Sequence, residues 1–294
     1  MIENIHVGRG VTRGSMTVFP LWAPRTGPST HTVSPRTLDV SESEGGPQVD
    51  TLLMGNHGDK PVLVLEGQLF EGGWQHRMAT RPVMIGVHHQ VPVEVACVEQ
   101  GRWEGERTQR SAGRRATPWV RESVRSPFGG GLLGDGLFGD VQGEVWRRVA
   151  HHTADRPGNE TTSLVTRLDA GTVTDWSDYQ LLPGQAGVLM GVGGQPYAAE
   201  LFDSSRHLTR QVRAILEAAA LDAEKVAGPS TPSRRAHRFV DRFMALEVQE
   251  RRPAGVAEEH LACSAWVDAS VVHHAGRPVH TRMTNVRHPM LATA

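Results

Sequence analysis

The chain has 294 residues, of which 38% are hydrophobic, and it carries 31 basic and 32 acidic residues. This length suffices for one large domain or two modest ones, and the apolar fraction supports a folded core. The balanced charge creates no global field that would favour nucleic acid or an anionic membrane. We therefore expect neither as a partner.

The two cysteines, Cys97 and Cys263, are too few for a disulfide framework. At the N-terminus no basic stretch precedes an apolar one, and no window approaches the ~20 apolar residues of a membrane span. We expect a cytoplasmic protein with reduced thiols.

Strands dominate the first hundred residues. Segment 16–22 (MTVFPLW) is a β-rich apolar run, and two hairpins are predicted, over 49–66 and 82–98. In the second hairpin alternate residues of the return strand are apolar, which indicates one buried face.

Residues 104–140 interrupt this pattern. They are rich in Arg, Ser and Gly and predict a long flexible insertion. Its glycine-rich part, 129–140, lacks the GK[ST] ending of a phosphate-binding P-loop. A helix capped by Asp140 is predicted next, with Val141, Val145 and Val149 at helical spacing, and a short helix follows over 161–168.

The rest of the chain mixes strands and helices. We predict a tight hairpin over 187–202, a helix over 207–224 capped by Ser204 or Ser205, and a second helix that begins at Pro232. Strands near 262–272 and 278–283 follow, and 285–294 is predicted to be a tail.

Strand runs and helix runs are grouped and do not alternate. This grouping predicts an α+β fold with a mostly antiparallel, sandwich-like β-sheet and a few packed helices in the C-terminal half. We expect a single domain over 1–294.

Two polar clusters, EGQLFEGGWQHR at 66–77 and CVEQGRW at 97–103, follow apolar strands, as is typical of ligand sites at strand ends. Carboxylates there are suited to acid–base catalysis. Arginine can grip a phosphate or carboxylate with two hydrogen bonds, and tryptophan can stack on a flat group. The candidate catalytic residues are Glu66 and Glu99, and the candidate ligand-binding residues are Gln75, Arg77, Arg102 and Trp103.

Each cluster also has a structural interpretation. The first is compatible with a polar strand end and a turn, and Glu99 with Arg102 is compatible with an internal ion pair that positions the 101–103 turn. No metal site is predicted, because the fifteen histidines form neither HExxH nor a paired CxxC arrangement. Nucleophile motifs such as GxSxG are also absent, and the sequence identifies neither a cofactor nor a protein partner.

The same region carries a family resemblance. LEGQL at 65–69, the Gly-x-x-Gln-x-Arg element of Gly72, Gln75 and Arg77, and CVEQGRW at 97–103 resemble a family of bacterial and archaeal proteins. The family is named for genomic association with ADP-ribosylglycohydrolase and rhodanese-phosphatase superfamily proteins. Segments 187–204 and 264–280 look similar too. The chain departs from the family pattern at Gln68, where an acidic residue is usual, and at Trp74, where a lysine is usual.

The resemblance implies a link to nucleotide, NAD or ADP-ribose processing through genomic association, and it implies no particular reaction. Our leading hypothesis is a protein that binds a small phosphorylated or nucleotide-like ligand. The alternatives are a hydrolase of such a ligand with a glutamate base, and a structural component of a multiprotein system.

Overall fold

The structure is a computed structural model that describes residues 2–24, 27–43, 45–46, 48–124, 141–154, 158 and 160–292. The chain divides into two compact units. Unit 1 comprises Met1–Thr30 and Thr172–Ala294, and unit 2 comprises His31–Gly171. That the whole chain is a single domain stays a prediction.

Unit 1 opens with three strands, β1 (His6–Val7), β2 (Val11–Arg13) and β3 (Met16–Trp22). The third coincides with the predicted strand over 16–22, and it is almost wholly buried. It pairs with both β1 and β2.

Unit 2 follows and is built mainly from short strands. They are β4 (Leu38–Ser41), β5 (Thr51–Asn56), β6 (Val62–Val64), β7 (Leu69–Gly72), β8 (Arg77–Ala79), β9 (Val83–Ile85), β10 (Gln90–Cys97) and β11 (Thr108–Arg110). Its helices in the described ranges are α1 (Pro118–Glu122), α2 (Val141–Thr153) and α3 (Leu164–Asp169).

Six of these strands close into an antiparallel barrel in the order β10-β5-β4-β11-β7-β8. Its interior holds an apolar cluster that includes Val40, Leu52, Phe70, Ala79 and Val95. Burial of such side chains stabilises a fold by roughly 1.5–3 kcal/mol each. The strands β6 and β9 pair separately as a two-stranded sheet.

The predicted hairpins over 49–66 and 82–98 are wrong. Strand β5 pairs with β4 and β10, whereas β6 pairs with β9. At the end of β5, the Asn56 side chain donates to the carbonyls of Lys60, Ile85 and Gly86. Alternation along a strand predicts its buried face but does not identify its partner.

The predicted insertion over 104–140 is ordered in its described part, 104–124, which contains the barrel strand β11 and the helix α1. Residues 125–140, with the glycine-rich segment and the predicted cap Asp140, lie outside the described residues. The predicted helix after them is present as α2, and the short one as α3.

Unit 1 resumes after unit 2. Its further elements are β12 (Gly187–Val192), β13 (Gln195–Phe202), α4 (Ser205–Ala223), α5 (Ser233–Met244), β14 (Glu250–Ala254), β15 (Ala257–Cys263), β16 (Val267–His274), β17 (Arg277–Asn285) and α6 (Pro289–Ala292). The described part of the predicted tail thus contains the end of β17 and the short helix α6.

These strands form one antiparallel sheet in the order β1-β3-β12-β13-β17-β16-β15-β14, with β2 at the side of β3. Helix α5 packs Ala236, Phe239, Val240 and Phe243 into the apolar cluster on this sheet. The predicted hairpin over 187–202 and the helix capped by Ser204 are confirmed.

The α+β class with mostly antiparallel sheets is confirmed. Closure of six strands into a barrel was not anticipated from the sequence. None of the described helices is long and apolar enough to cross a membrane.

Candidate functional site

The two polar clusters meet at one end of the unit 2 barrel. Strand β8 pairs with β10 so that Arg77 lies opposite Cys97. The Gln75 amide donates to the Glu99 carbonyl at 3.0 Å, and the His76 main-chain N–H donates to Glu99 Oε2 at 3.0 Å. The two clusters meet because β8 pairs with β10, and not through the two predicted hairpins.

Strand register fixes which side chains face the barrel interior. Phe70 belongs to the interior cluster and lies opposite Arg77, which in turn lies opposite Cys97. Directly opposite residues in antiparallel strands share a face of the sheet. Gln109 lies opposite Val40, another interior residue, so it faces inward as well.

Arg77 is the central charged group of this barrel end. Its side chain is fully buried, with 0% exposure, and Nη1 donates to Gln75 Oε1 at 3.0 Å. Its Nε and Nη2 have no hydrogen-bond partner among the described residues. Burial lowers the pKa of Arg77, while Cys97 and Glu42 act in the opposite direction. A buried guanidinium with unused donors is suited to binding an anion.

Two tryptophans lie beside this arginine. The Trp103 ring centroid is 5.7 Å from the Arg77 guanidinium carbon, and 45% of Trp103 is exposed. Trp74 contacts Trp103 edge-on with ring centroids 5.7 Å apart. Trp103 thus lies beside Arg77 and leaves nearly half of its surface exposed to solvent.

Two further polar side chains, Glu42 and Gln109, lie at this barrel end, and neither was predicted from the sequence as a site residue. Glu42 is 1% exposed, follows β4, and falls on the same side as Val40 two residues earlier. Its Oε1 accepts a 2.9 Å hydrogen bond from Gln109 Nε2. Glu42 Oε2 and Gln109 Oε1 are buried without a partner among the described residues. No local motif marks either residue, since barrel closure alone brings them to Arg77.

Cys97 lies beside Arg77 as a buried thiol. Burial raises its pKa, and its Sγ contacts the Glu99 carbonyl at 3.1 Å. Cys97 is therefore a neutral packing residue at neutral pH.

Glu99 is buried and joins three chain segments through hydrogen bonds to its carboxylate. Its Oε2 accepts from Arg102 Nη2 at 2.7 Å and from Arg102 Nε at 3.1 Å, and its Oε1 accepts from Thr161 at 2.8 Å. Burial would raise the pKa of Glu99, but the hydrogen bonds from Arg102, the His76 main chain and Thr161 outweigh it, so the pKa is lowered. A carboxylate stabilised in its charged form by this many donors is a poor general base.

Arg102 is equally committed to the protein. Besides Glu99, its guanidinium donates to the carbonyls of Gly72, Gly73 and Glu104. Gly72 and Gly73 adopt positive φ angles of 87° and 58°, a conformation that glycine allows. This geometry supports the alternative of a positioning ion pair over the predicted anion-binding role of Arg102.

His76, Ser163 and Glu99 include the residue types of a catalytic triad without its geometry. The Ser163 hydroxyl, at 2.9 Å, and Glu99 Oε2, at 3.4 Å, both approach the same ring nitrogen, Nδ1 of His76. A triad needs the two partners on opposite nitrogens. Ser163 also caps α3 by accepting from the Thr166 main chain, so the group is structural.

The carboxylates of the first cluster have other neighbours. Glu71 forms a two-fold hydrogen bond with Arg114, at 2.9 and 2.8 Å, and Arg114 also pairs with Asp169. Glu66 is 5% exposed, and its main-chain carbonyl accepts from Arg115 at 2.6 Å. The contacts of Glu99 in the described residues do not include Glu66.

Unit 1 has a separate cleft of about 320 Å³. Its lining includes Asn4, Phe202, Asp203 and His280. Asp203 already accepts from Ser29 at 2.7 Å. None of the residues predicted from the sequence lines this cleft, so the barrel end remains the better candidate site.

The fold and site together define an α+β protein with a polar, arginine-centred barrel end. The chain belongs to the family described as the ARG and Rhodanese-Phosphatase-superfamily-associated Protein domain, whose model matches residues 4–284. This confirms the resemblance found in the sequence. No curated protein and no solved structure matches the chain.

Proposed function

We propose that this chain binds a small phosphorylated or nucleotide-like ligand at the barrel end of unit 2. The observation that carries this proposal is Arg77, which is fully buried yet leaves two nitrogens without a partner in the described residues. Buried guanidinium nitrogens without a hydrogen-bond partner are costly for a fold, so their presence is best explained by a group that they bind.

The neighbouring aromatic residues support a nucleotide-like ligand. Trp103 contacts the Arg77 region on one side and solvent on the other. A phosphate at Arg77 would bring an attached ring within reach of Trp103, where stacking contributes about 1–3 kcal/mol. Family membership adds an association with ADP-ribosylglycohydrolase proteins, which supports testing ADP-ribose and NAD first.

The contacts of Glu99 favour a binding protein over a hydrolase that uses this residue as its base. Its two oxygens already accept four hydrogen bonds, from Arg102, His76 and Thr161. A general base needs a free lone pair aimed at the proton that it removes.

Calorimetric titration with ADP-ribose, NAD and nucleoside diphosphates tests the proposal, with Arg77→Met as the main variant. Methionine keeps much of the side-chain volume and removes the donors. Loss of two hydrogen bonds to a charged group should weaken binding by about 2–4 kcal/mol, or roughly 30- to 1000-fold.

Arg167→Met is the matched control. Arg167 is also buried in unit 2, but it donates to the carbonyls of His152 and Gly171. We expect Arg167→Met to lose stability and retain affinity, and Arg77→Met to retain stability and lose affinity. Binding of none of these compounds to the wild-type protein would refute the proposal.

A further inference from the structure

The barrel end presents acceptors as well as donors. In the described part of the chain this barrel end holds, in addition to the two unpartnered nitrogens of Arg77, the unpartnered oxygens Glu42 Oε2 and Gln109 Oε1. These side chains are 0%, 1% and 7% exposed, respectively. The 2.9 Å hydrogen bond between Gln109 Nε2 and Glu42 Oε1 holds the two acceptor groups side by side.

This arrangement constrains the chemistry of a ligand. Glu42 follows β4 on the interior side of the barrel, and Arg77 lies on the interior side of β8. Burial lowers the pKa of Arg77, and the negative charge of Glu42 partly opposes this shift. Inorganic phosphate lacks the carbon framework that would place separate hydroxyls against both acceptors, and its charge would be attracted by Arg77 but repelled by Glu42. A ligand that fits must place donor groups against Glu42 and Gln109 while its anionic group reaches Arg77.

Neighbouring hydroxyls meet this requirement. A vicinal diol offers two O–H donors on adjacent carbons, which matches two acceptors held side by side. Leaving a buried acceptor unpaired is costly, so a site of this kind discriminates strongly against a ligand that lacks one hydroxyl.

We infer that the ligand is a sugar phosphate or a nucleotide in which vicinal hydroxyls donate to Glu42 and Gln109 while a phosphate accepts from Arg77. This inference rests on the proposed function and adds the identity of the group that the acceptors recognise. Its distinguishing consequence is discrimination between a sugar and its deoxy analogue.

The experiment is calorimetric titration of the full chain with ribose 5-phosphate, 2-deoxyribose 5-phosphate and inorganic phosphate. The wild-type protein should prefer ribose 5-phosphate to its deoxy analogue by about tenfold or more, as expected for one hydrogen bond to a charged acceptor. It should bind inorganic phosphate more weakly than either.

Glu42→Gln is the first variant, because a glutamine oxygen can still accept from Gln109. It should lower the preference for ribose 5-phosphate and strengthen the binding of inorganic phosphate, since the repulsive charge is gone. Gln109→Met, which keeps Glu42, should lower the same preference and serves if Glu42→Gln folds poorly. Glu259→Gln removes an equally buried carboxylate of unit 1 and should leave all three affinities unchanged.

The two proposals fail in different ways. Equal affinity of the wild-type protein for the ribose and deoxyribose phosphates would overturn this inference and leave the proposed function standing. If both Glu42→Gln and Gln109→Met keep the wild-type preference for ribose 5-phosphate over its deoxy analogue, this inference is also wrong and the proposed function stands. If no phosphorylated compound binds, the proposed function and this inference are both wrong.

Discussion

Replacing Glu99 by glutamine keeps the shape of the side chain and removes the charge that joins Arg102, His76 and Thr161. Removing one partner of a fully buried ion pair costs about 3–5 kcal/mol. The Glu99 side chain is 4% exposed, but that of Arg102 is 23% exposed. Partial solvation reduces the loss, and we expect Glu99→Gln to be destabilised by about 2–3 kcal/mol.

Urea and thermal unfolding monitored by tryptophan fluorescence measure this effect, because the Trp74–Trp103 ring pair adjoins Arg102. A loss of this size corresponds to a Tm lowered by roughly 4–10 °C. The control is Asp39→Asn, also in unit 2, which disrupts the Asp39–His57 pair with side chains 79% and 66% exposed. Exposed pairs contribute little, so this variant should unfold with the wild type.

The pH dependence adds a second readout. Because the folded pKa of Glu99 lies below its ordinary value of 4.5, its contribution is complete above that pH and is lost as the pH falls through the folded pKa. The difference between wild type and Glu99→Gln should therefore shrink in acid. If Glu99→Gln were as stable as Asp39→Asn at neutral pH, the stabilising role of the Glu99 hydrogen bonds would be refuted. If the wild-type protein hydrolyses a phosphorylated or nucleotide-like ligand and a stably folded Glu99→Gln variant does not, Glu99 would again be the candidate general base.

Three further predictions follow from geometry. His273 stacks on His260 with ring centroids 4.0 Å apart, and burial lowers its pKa to about 4, so the free energy of unfolding should fall as the pH drops from about 6.5 towards 4. Urea titrations of His273→Gln should show a weaker fall with pH. A pH profile identical to that of the wild type would contradict this prediction. Gly105→Ala should lower the free energy of unfolding by about 2 kcal/mol or more, because φ is 143° and the new Cβ would collide with the Gly73 carbonyl. The control Gly113→Ala, at φ 80° with open space around the new Cβ, should lower it by about 1 kcal/mol. Equal Tm values for the two variants would show that Gly105 does not need this close approach. Trp103→Ala should weaken the binding of nucleotides by roughly tenfold and leave inorganic phosphate unaffected, as measured by calorimetry, whereas equal losses for both ligands would exclude stacking.

Local patterns predicted the elements that depend on local order. The helix over 207–224 carries its own periodicity and cap, and the hairpin around Gly193-Gly194 carries its own turn signal. Their positions agree with the structure because few distant contacts are needed to specify them.

The barrel depends instead on distant pairing. Strand β11 has only three residues, yet it joins β4 to β7 and completes the closure. Nothing in Thr108–Arg110 predicts this, since a strand so short has no measurable period. The same reason explains the candidate site: Glu99 and Arg102 are three residues apart and were predicted as a pair, whereas Glu42 lies 35 residues from Arg77.

The pairing of β3 with β12 has a consequence for synthesis of the chain. Residues 16–21 of β3 pair with Gly187–Val192, which is synthesised about 170 residues later. Unit 2 lies entirely between them and can complete its own pairing first. Until then β3 has only β1 and β2 beside it and exposes an apolar edge, of the kind that attracts other chains. Co-translational aggregation should therefore be sensitive to substitutions in the first thirty residues, far more than the native structure would indicate.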